Sequence, residues 1–203
     1  KAALMNSALD LGLDTYTQGA GRIRLPGAAG VAGALTPPSL SLGLDDLTKD
    51  LWQTTRTLTI TNGSGSQTTY QLSVEEGLPE GATATVDTPS VTLDRGESRQ
   101  VQFSLSVDNT TTPNAPDEPF SYDGVVVAET GGLELRVPFS FIKSPVINFT
   151  FDEEPWILWL HDENGEGYFK AYPGESLTLP IGGTGDFNAV VTFGDVATRV
   201  FVE

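Results

Sequence analysis

Apolar residues recur along this chain in two different rhythms. Over the first dozen residues Ala2, Ala3, Leu4, Met5, Ala8, Leu9 and Leu11 follow helical spacing, and Gly12 stands where a helix would cap. The spacing predicts a short N-terminal helix. So short a helix is marginal in water and needs its apolar face covered by tertiary packing, which no adjacent residue supplies. We therefore expect it to be mobile in the isolated chain or packed on a partner. The following run, TYTQGAGRIRLPGAAGVAGAL, is rich in Gly and Ala, and its few large side chains predict a linker rather than a core.

From Leu35 onward the period changes to two. Leu40, Leu42 and Leu44 alternate with small residues, Leu58 and Ile60 with threonines, and Tyr70, Leu72 and Val74 with polar residues. The same alternation returns at Val91 and Leu93, through Val101, Phe103, Leu105 and Val107, in YDGVVVAET, and through Leu133, Leu135, Val137, Phe139 and Phe141. These are about seven half-buried strands, with turn signals between them at Asn62-Gly63, Pro79-Glu80-Gly81, Asp94-Arg95-Gly96 and Gly131-Gly132. Short strands at that spacing predict an antiparallel Greek-key β-sandwich over 36–143. The segment from Asn109 to Pro119 reads as a surface loop. Lys143-Ser144-Pro145 marks a joint, after which VINFTF, WILWLHD, GYFKAY, SLTLPI, FNAVVTFG and ATRVFVE predict a second, small β-sandwich over 144–203. The expected class is thus mainly β, with a short N-terminal helix.

Composition narrows the chemistry. The 203 residues carry 27 acidic and 11 basic side chains, a net charge of −16, which opposes binding to phosphate backbones or anionic membrane surfaces. Nucleic acid is not an expected partner. The acidity is uneven: residues 1–35 carry a net +1, residues 36–143 a net −9 and residues 144–203 a net −8. No cysteine is present, which removes disulfides, thiolate nucleophiles and cysteine-ligated metals together. The longest run without polar side chains, Leu25 to Leu35, spans 11 residues where a membrane helix needs about 20, so no transmembrane segment is expected.

Two stretches together resemble the subtilisin-like serine proteases, or subtilases. Lys1 to Asn6 with Ser7-Ala8, followed by Gln18-Gly19-Ala20-Gly21-Arg22, is similar to the last helix and closing loop of a subtilase catalytic domain. LTITNGSGSQTTYQLSV, PSVTLDRGESRQVQFSL and YDGVVVAETGGLELRVPFSF are similar to the fibronectin type III-like domain that follows it in larger secreted members. Arg95 departs from the Pro frequently found at that turn, which Asp94 and Gly96 still support. The resemblance implies that residues 1–35 close a catalytic domain whose Ser, His and Asp motifs lie upstream of Lys1. It also implies that this chain is a non-catalytic portion of a secreted endopeptidase, with that catalytic domain and the protease's protein substrates as partners.

The chain's own chemistry-bearing residues agree with that expectation. His161 is the single histidine and stands beside Asp162, but adjacent strand residues face opposite ways, so a triad on His161 is disfavoured. No Gly-x-Ser-x-Gly elbow, phosphate loop or His-Glu-x-x-His occurs, and Gly19-Ala20-Gly21 lacks the third glycine of a dinucleotide site. No cofactor is expected. Asp162, Asn164 and Glu166 place oxygens at alternate positions, as the first half of a calcium loop does, and Asp152-Glu153-Glu154 could lend a carboxylate. Position twelve of that frame is Pro173 rather than Glu, so an acidic turn is the simpler reading. Trp156, Trp159, Tyr168, Phe169 and Tyr172 suggest either a core or a sugar-stacking platform, and the odd spacing of the two tryptophans favours the core. The alternative function is accordingly an extracellular adhesion or glycan-binding module. Asn62-Gly63-Ser64, Asn109-Thr110-Thr111 and Asn148-Phe149-Thr150 match the N-glycosylation pattern, with a turn and a loop as the plain readings of the first two.

Overall fold

The computed structural model describes residues 1–30, 33–112, 120–161, 167–171, 174, 176–180, 187–193 and 196–202. It is mainly β, and its described residues divide into two compact units, the first covering 1–112 and 120–143 and the second beginning at Ser144. The first unit is a two-layer sandwich. One sheet has the order β1-β3-β7-β5, formed by β1 (Gly33–Thr36), β3 (Leu51–Asn62), β7 (Ser98–Asp108) and β5 (Ala82–Val86). The other has the order β2-β9-β8-β4-β6, from β2 (Leu40–Asp45), β9 (Leu133–Lys143), β8 (Phe120–Thr130), β4 (Thr68–Glu76) and β6 (Ser90–Leu93).

The period-two pattern explains the layers. Val101, Phe103, Leu105 and Val107 of β7, with Leu58 and Ile60 of β3, face Tyr70, Leu72, Val126, Val137, Phe139 and Phe141 across one core. Between those positions, Thr57 meets Gln102 and Thr61 meets Ser98 in cross-strand hydrogen bonds on the exposed face. Gly131 and Gly132 both hold positive φ, +54° and +78°, which the two-residue hairpin joining β8 to β9 requires.

Three features differ from the sequence expectation. The pairing of β2 with β9 is parallel, with a register shift between Ser41 and Gly43, so the antiparallel pattern breaks at that one junction. Two strands, β1 and β5, lie where the alternation is written in Gly, Ala and Thr rather than in large apolar residues. The N-terminal helix is also shorter than the composition suggests: α1 covers Ala2–Asn6, after which Leu9 forms an antiparallel bridge with Arg22. The presumed linker carries two further helical turns, α2 (Thr15–Gln18) and α3 (Leu25–Ala29), and α1 packs on β1, β9 and α3. Cover for the helix thus comes from residues distant in sequence, against the expectation that the isolated chain supplies none.

In the second unit, β11 (Ile157–His161), β12 (Gly167–Ala171), β14 (Phe187–Phe193) and β15 (Val196–Val202) form a sheet of order β12-β11-β14-β15. A two-stranded sheet of β10 (Val146–Thr150) and β13 (Ser176–Pro180) packs its Ile147, Phe149, Leu177 and Leu179 against Leu158, Leu160, Ala189 and Val191 of the first. All six predicted strands of this unit are present, and they make a small sandwich.

Candidate functional site

The N-terminal segment of the first unit is fixed through a few polar contacts, while most of its large apolar side chains are exposed. Asn6 is fully buried, where its carboxamide donates to the Arg136 carbonyl at 3.0 Å and accepts from the Leu35 N–H at 3.0 Å. Asp14 caps α2, accepting from the Thr17 N–H at 2.9 Å and from its hydroxyl at 2.7 Å. The Thr15 N–H donates to Asp123 on β8. Gln18 stitches the loop by accepting from the Leu11 N–H and donating to Asp10, at 2.8 and 2.9 Å. A side chain on Gly21 would run into the Leu9 carbonyl, and its φ of +101° already requires glycine.

Arg136 of β9 anchors the same segment through charge. Its guanidinium reaches Glu75 at 2.9 Å, Asp10 at 3.2 Å and Glu134 at 3.2 Å. Hydrogen bonds from the Gly12 N–H first and from Gln18 second, with a smaller contribution from Arg136, hold the Asp10 carboxyl below the usual carboxylate range.

Leu4, Leu9, Leu11, Leu13 and Tyr16 are exposed, as are Ile23 and Leu25, at 64% and 68%. A cleft of about 330 Å³ opens beside them, lined by Leu9, Arg24, Pro26, Gly27, Leu133 and Arg136. Apolar residues are common on protein surfaces singly, and here seven large ones are exposed within 22 residues of chain. Sequence analysis missed this patch because helical spacing reports which residues share a face, not whether that face is covered.

In the second unit, His161 and Trp159 lie two residues apart on β11, on the side opposite the buried Leu158 and Leu160. Their rings are parallel within 3° at a centroid separation of 6.0 Å. Gly167 stands opposite His161 in the register, and a Cβ there would meet the imidazole, so the glycine makes room for the ring. Trp156 is 59% exposed and Trp159 42%, which corrects the expectation that both belong to the core. The odd-spacing argument failed because Trp156 precedes β11 rather than lying on it. No described hydroxyl or carboxylate hydrogen-bonds to His161. Asp162, Asn164 and Glu166, the calcium candidates, lie outside the described residues, as do Tyr172 and Pro173. Among the described residues, no three His, Cys, Asp or Glu side chains gather at a metal-binding spacing.

Of the glycosylation patterns, Asn62 is buried and its amide donates to the carbonyls of Ser66, Leu93 and Asp94, so it serves as the staple of its turn. Asn109 donates to Asp45 at 3.0 Å and to the Lys49 carbonyl at 2.9 Å. Asn148 is exposed and accepts from the Thr178 hydroxyl. Among the described residues, no helix is long and apolar enough to cross a membrane.

No protein-family model matches the chain, and no curated protein matches it in sequence. Among solved structures, the secreted serine protease VesC from Vibrio cholerae aligns with 86% of this chain and 50% of its own at 12% identity and a TM-score of 0.41. A family 123 glycoside hydrolase from Clostridium perfringens aligns with 52% of this chain and 23% of its own at 8% identity and a TM-score of 0.38. The CupB2 chaperone of Pseudomonas aeruginosa aligns with 82% of this chain and 97% of its own at 9% identity and a TM-score of 0.34. This chain spans half or less of the length of the first two.

Proposed function

We propose that this chain is the non-catalytic β region of a secreted subtilisin-like serine endopeptidase, and that it buttresses the catalytic domain and governs how protein substrates approach it. The observation that carries this reading is the N-terminal segment, whose Asn6 and Thr15 hydrogen bonds and Asp10–Arg136 ion pair hold it on the sandwich while Leu4, Leu9, Ile23 and Leu25 are exposed. Such a segment suits the seam between two domains. Its polar side fixes it to one, and its apolar side offers the other about 1.5–3 kcal/mol for each large side chain fully covered. The chain supplies no nucleophile, base or metal to the hydrolysis, which belongs to the catalytic domain.

Translating the parent reading frame upstream of Lys1 tests the proposal. A Gly-Thr-Ser-x-Ala-x-Pro motif ahead of α1, with His and Asp motifs farther upstream, is the expected result. Further β modules or a stop codon in their place would defeat it. The exposed Trp156 and Trp159 favour a second reading for the 144–203 unit, a glycan-binding module. Binding to a neutral polysaccharide that disappears on Trp159→Ala would support that reading, and unchanged retention of the variant would remove it.

A further inference from the structure

In the first unit, β3 carries a long edge that no described strand covers. On one side it pairs with β7 without a register shift, from Leu51 opposite Asp108 to Thr61 opposite Ser98. On the other side β1 covers only Thr59 to Asn62, because Pro37 and Pro38 follow Thr36 and the chain leaves for β2 in the other sheet. Among the described residues, no strand pairs with the run from Leu51 to Leu58 on that side.

Backbone hydrogen bonds at both ends of β3 fix which groups face the open edge. The Asp50 carbonyl accepts from the Asn109 N–H at 2.7 Å, and the Asn62 N–H donates to the Glu97 carbonyl at 2.9 Å, so the even-numbered residues turn their backbone groups to the β7 side. Successive strand residues point these groups to opposite sides, so Leu51, Gln53, Thr55 and Thr57 hold theirs toward the open edge. Arg56 agrees with this phase, since its guanidinium donates to the Thr55 carbonyl at 3.0 Å and to the Leu42 carbonyl of β2 at 3.1 Å. The Thr55 carbonyl keeps a second lone pair for another donor. The side chains of Leu51, Gln53, Thr55 and Thr57 are all exposed and uncharged. The whole run, LWQTTRT, has β-branched and aromatic residues, one charge, and neither Pro nor Gly, the composition of an edge that accepts another strand.

We propose that this edge is a homodimer interface, at which β3 of one copy pairs antiparallel with β3 of a second copy about a twofold axis at Thr54. The limits of the open run set the register, with Leu51 opposite Thr57 and Gln53 opposite Thr55. Outward backbone groups then meet outward backbone groups, and each pair exchanges both of its N–H···O=C bonds. A slip of one residue sets outward groups against inward ones. A slip of two runs into Thr59, which β1 already holds, or in the other direction leaves Thr57 unbonded. No like charges meet across the axis, although the molecule carries a net −16. On the opposite face Arg56 of each copy falls opposite Trp52 of the other, where a guanidinium and an indole attract. The pairing joins two four-stranded sheets into one. A single strand edge buries less area than a standard interface, so the dimer is expected to need micromolar or higher concentration.

Sedimentation equilibrium of the full chain, from micromolar to millimolar concentration and with enough salt to screen the net charge, is the test. The expected result is a reversible monomer–dimer equilibrium. Gln53→Lys combined with Thr55→Lys sets like charges against each other across the axis and is expected to weaken the dimer about tenfold. Gln53→Lys combined with Thr55→Glu sets opposite charges there and is expected to keep it. These side chains are exposed, so circular dichroism and the urea midpoint of both variants should stay at wild-type values. Thr55→Pro removes an outward N–H while leaving the bonds to β7, and is expected to abolish dimerisation. A monomer at every concentration overturns the proposal and leaves the edge to an extended segment of another protein. A dimer that survives both Thr55→Pro and the paired lysines overturns it as well, and its loss in Ile23→Ser combined with Leu25→Ser would place the contact in the N-terminal segment.

Discussion

At the scale of single residues, β9 runs past the end of β2 and leaves the Arg136 carbonyl without a strand partner, while the Leu35 N–H lies on the open side of β1. Both are satisfied by the Asn6 carboxamide. A buried group stripped of its partner costs about 1–3 kcal/mol. We predict that Asn6→Ala lowers the unfolding free energy by about 2 kcal/mol in urea denaturation, because two backbone groups lose their partner at once. A loss below about 0.5 kcal/mol, typical of a surface substitution, would show that the segment is held some other way. Asp10 adds a pH dependence. Its folded pKa lies below the unfolded value, so its contribution is complete above about pH 4 and is lost as pH falls through the folded value. The protection factor of the Gly12 amide, its exchange rate relative to the intrinsic rate at each pH, is therefore expected to fall below that pH in the wild type and to be lower above it in Asp10→Ala.

At the scale of elements, the sequence is legible where large apolar residues alternate and silent where small ones do. β7 and β9 declare themselves through Phe, Leu and Val, whereas β5 packs through the small Ala84 with partly buried Ala82 and Val86, and β1 through Leu35. The helix was overextended because Ala8 and Leu9 continue its composition, although the Leu9 backbone is taken by Arg22. The exposed apolar patch was illegible for a related reason, since cover is a property of the fold and not of the spacing. Gly124 shows the converse, a glycine with a packing role that no pattern declares. A Cβ on this β8 residue would meet the Phe139 ring, which itself packs on Phe103 at a centroid distance of 4.8 Å. Gly124→Ala is predicted to destabilise the first unit by about 1–3 kcal/mol through displacement of that ring, read from the midpoint of thermal unfolding. A stabilised variant would mean that the ring yields freely and that strand propensity decides.

At the scale of the whole molecule, a chain of net charge −16 repels its own copies, yet its N-terminal segment, with a net +1 over residues 1–35, exposes seven large apolar side chains. Self-repulsion opposes association through charged faces, so this weakly charged segment with its exposed apolar side chains is a place where it can associate. Ile23 and Leu25 are the most exposed of the seven and contribute least to the core. Replacing both by Ser should therefore shift the unfolding free energy by no more than about 0.5 kcal/mol, since neither is removed from a packed environment. The same change should markedly reduce binding of an apolar fluorescent dye, and it should weaken association with the catalytic domain if that domain covers this surface. A fall in stability comparable to that of a core substitution would place the two side chains against the sandwich. Unchanged dye binding would move the associating surface elsewhere, with the open cleft beside Phe149, Phe151 and Phe193 in the second unit as the next place to look.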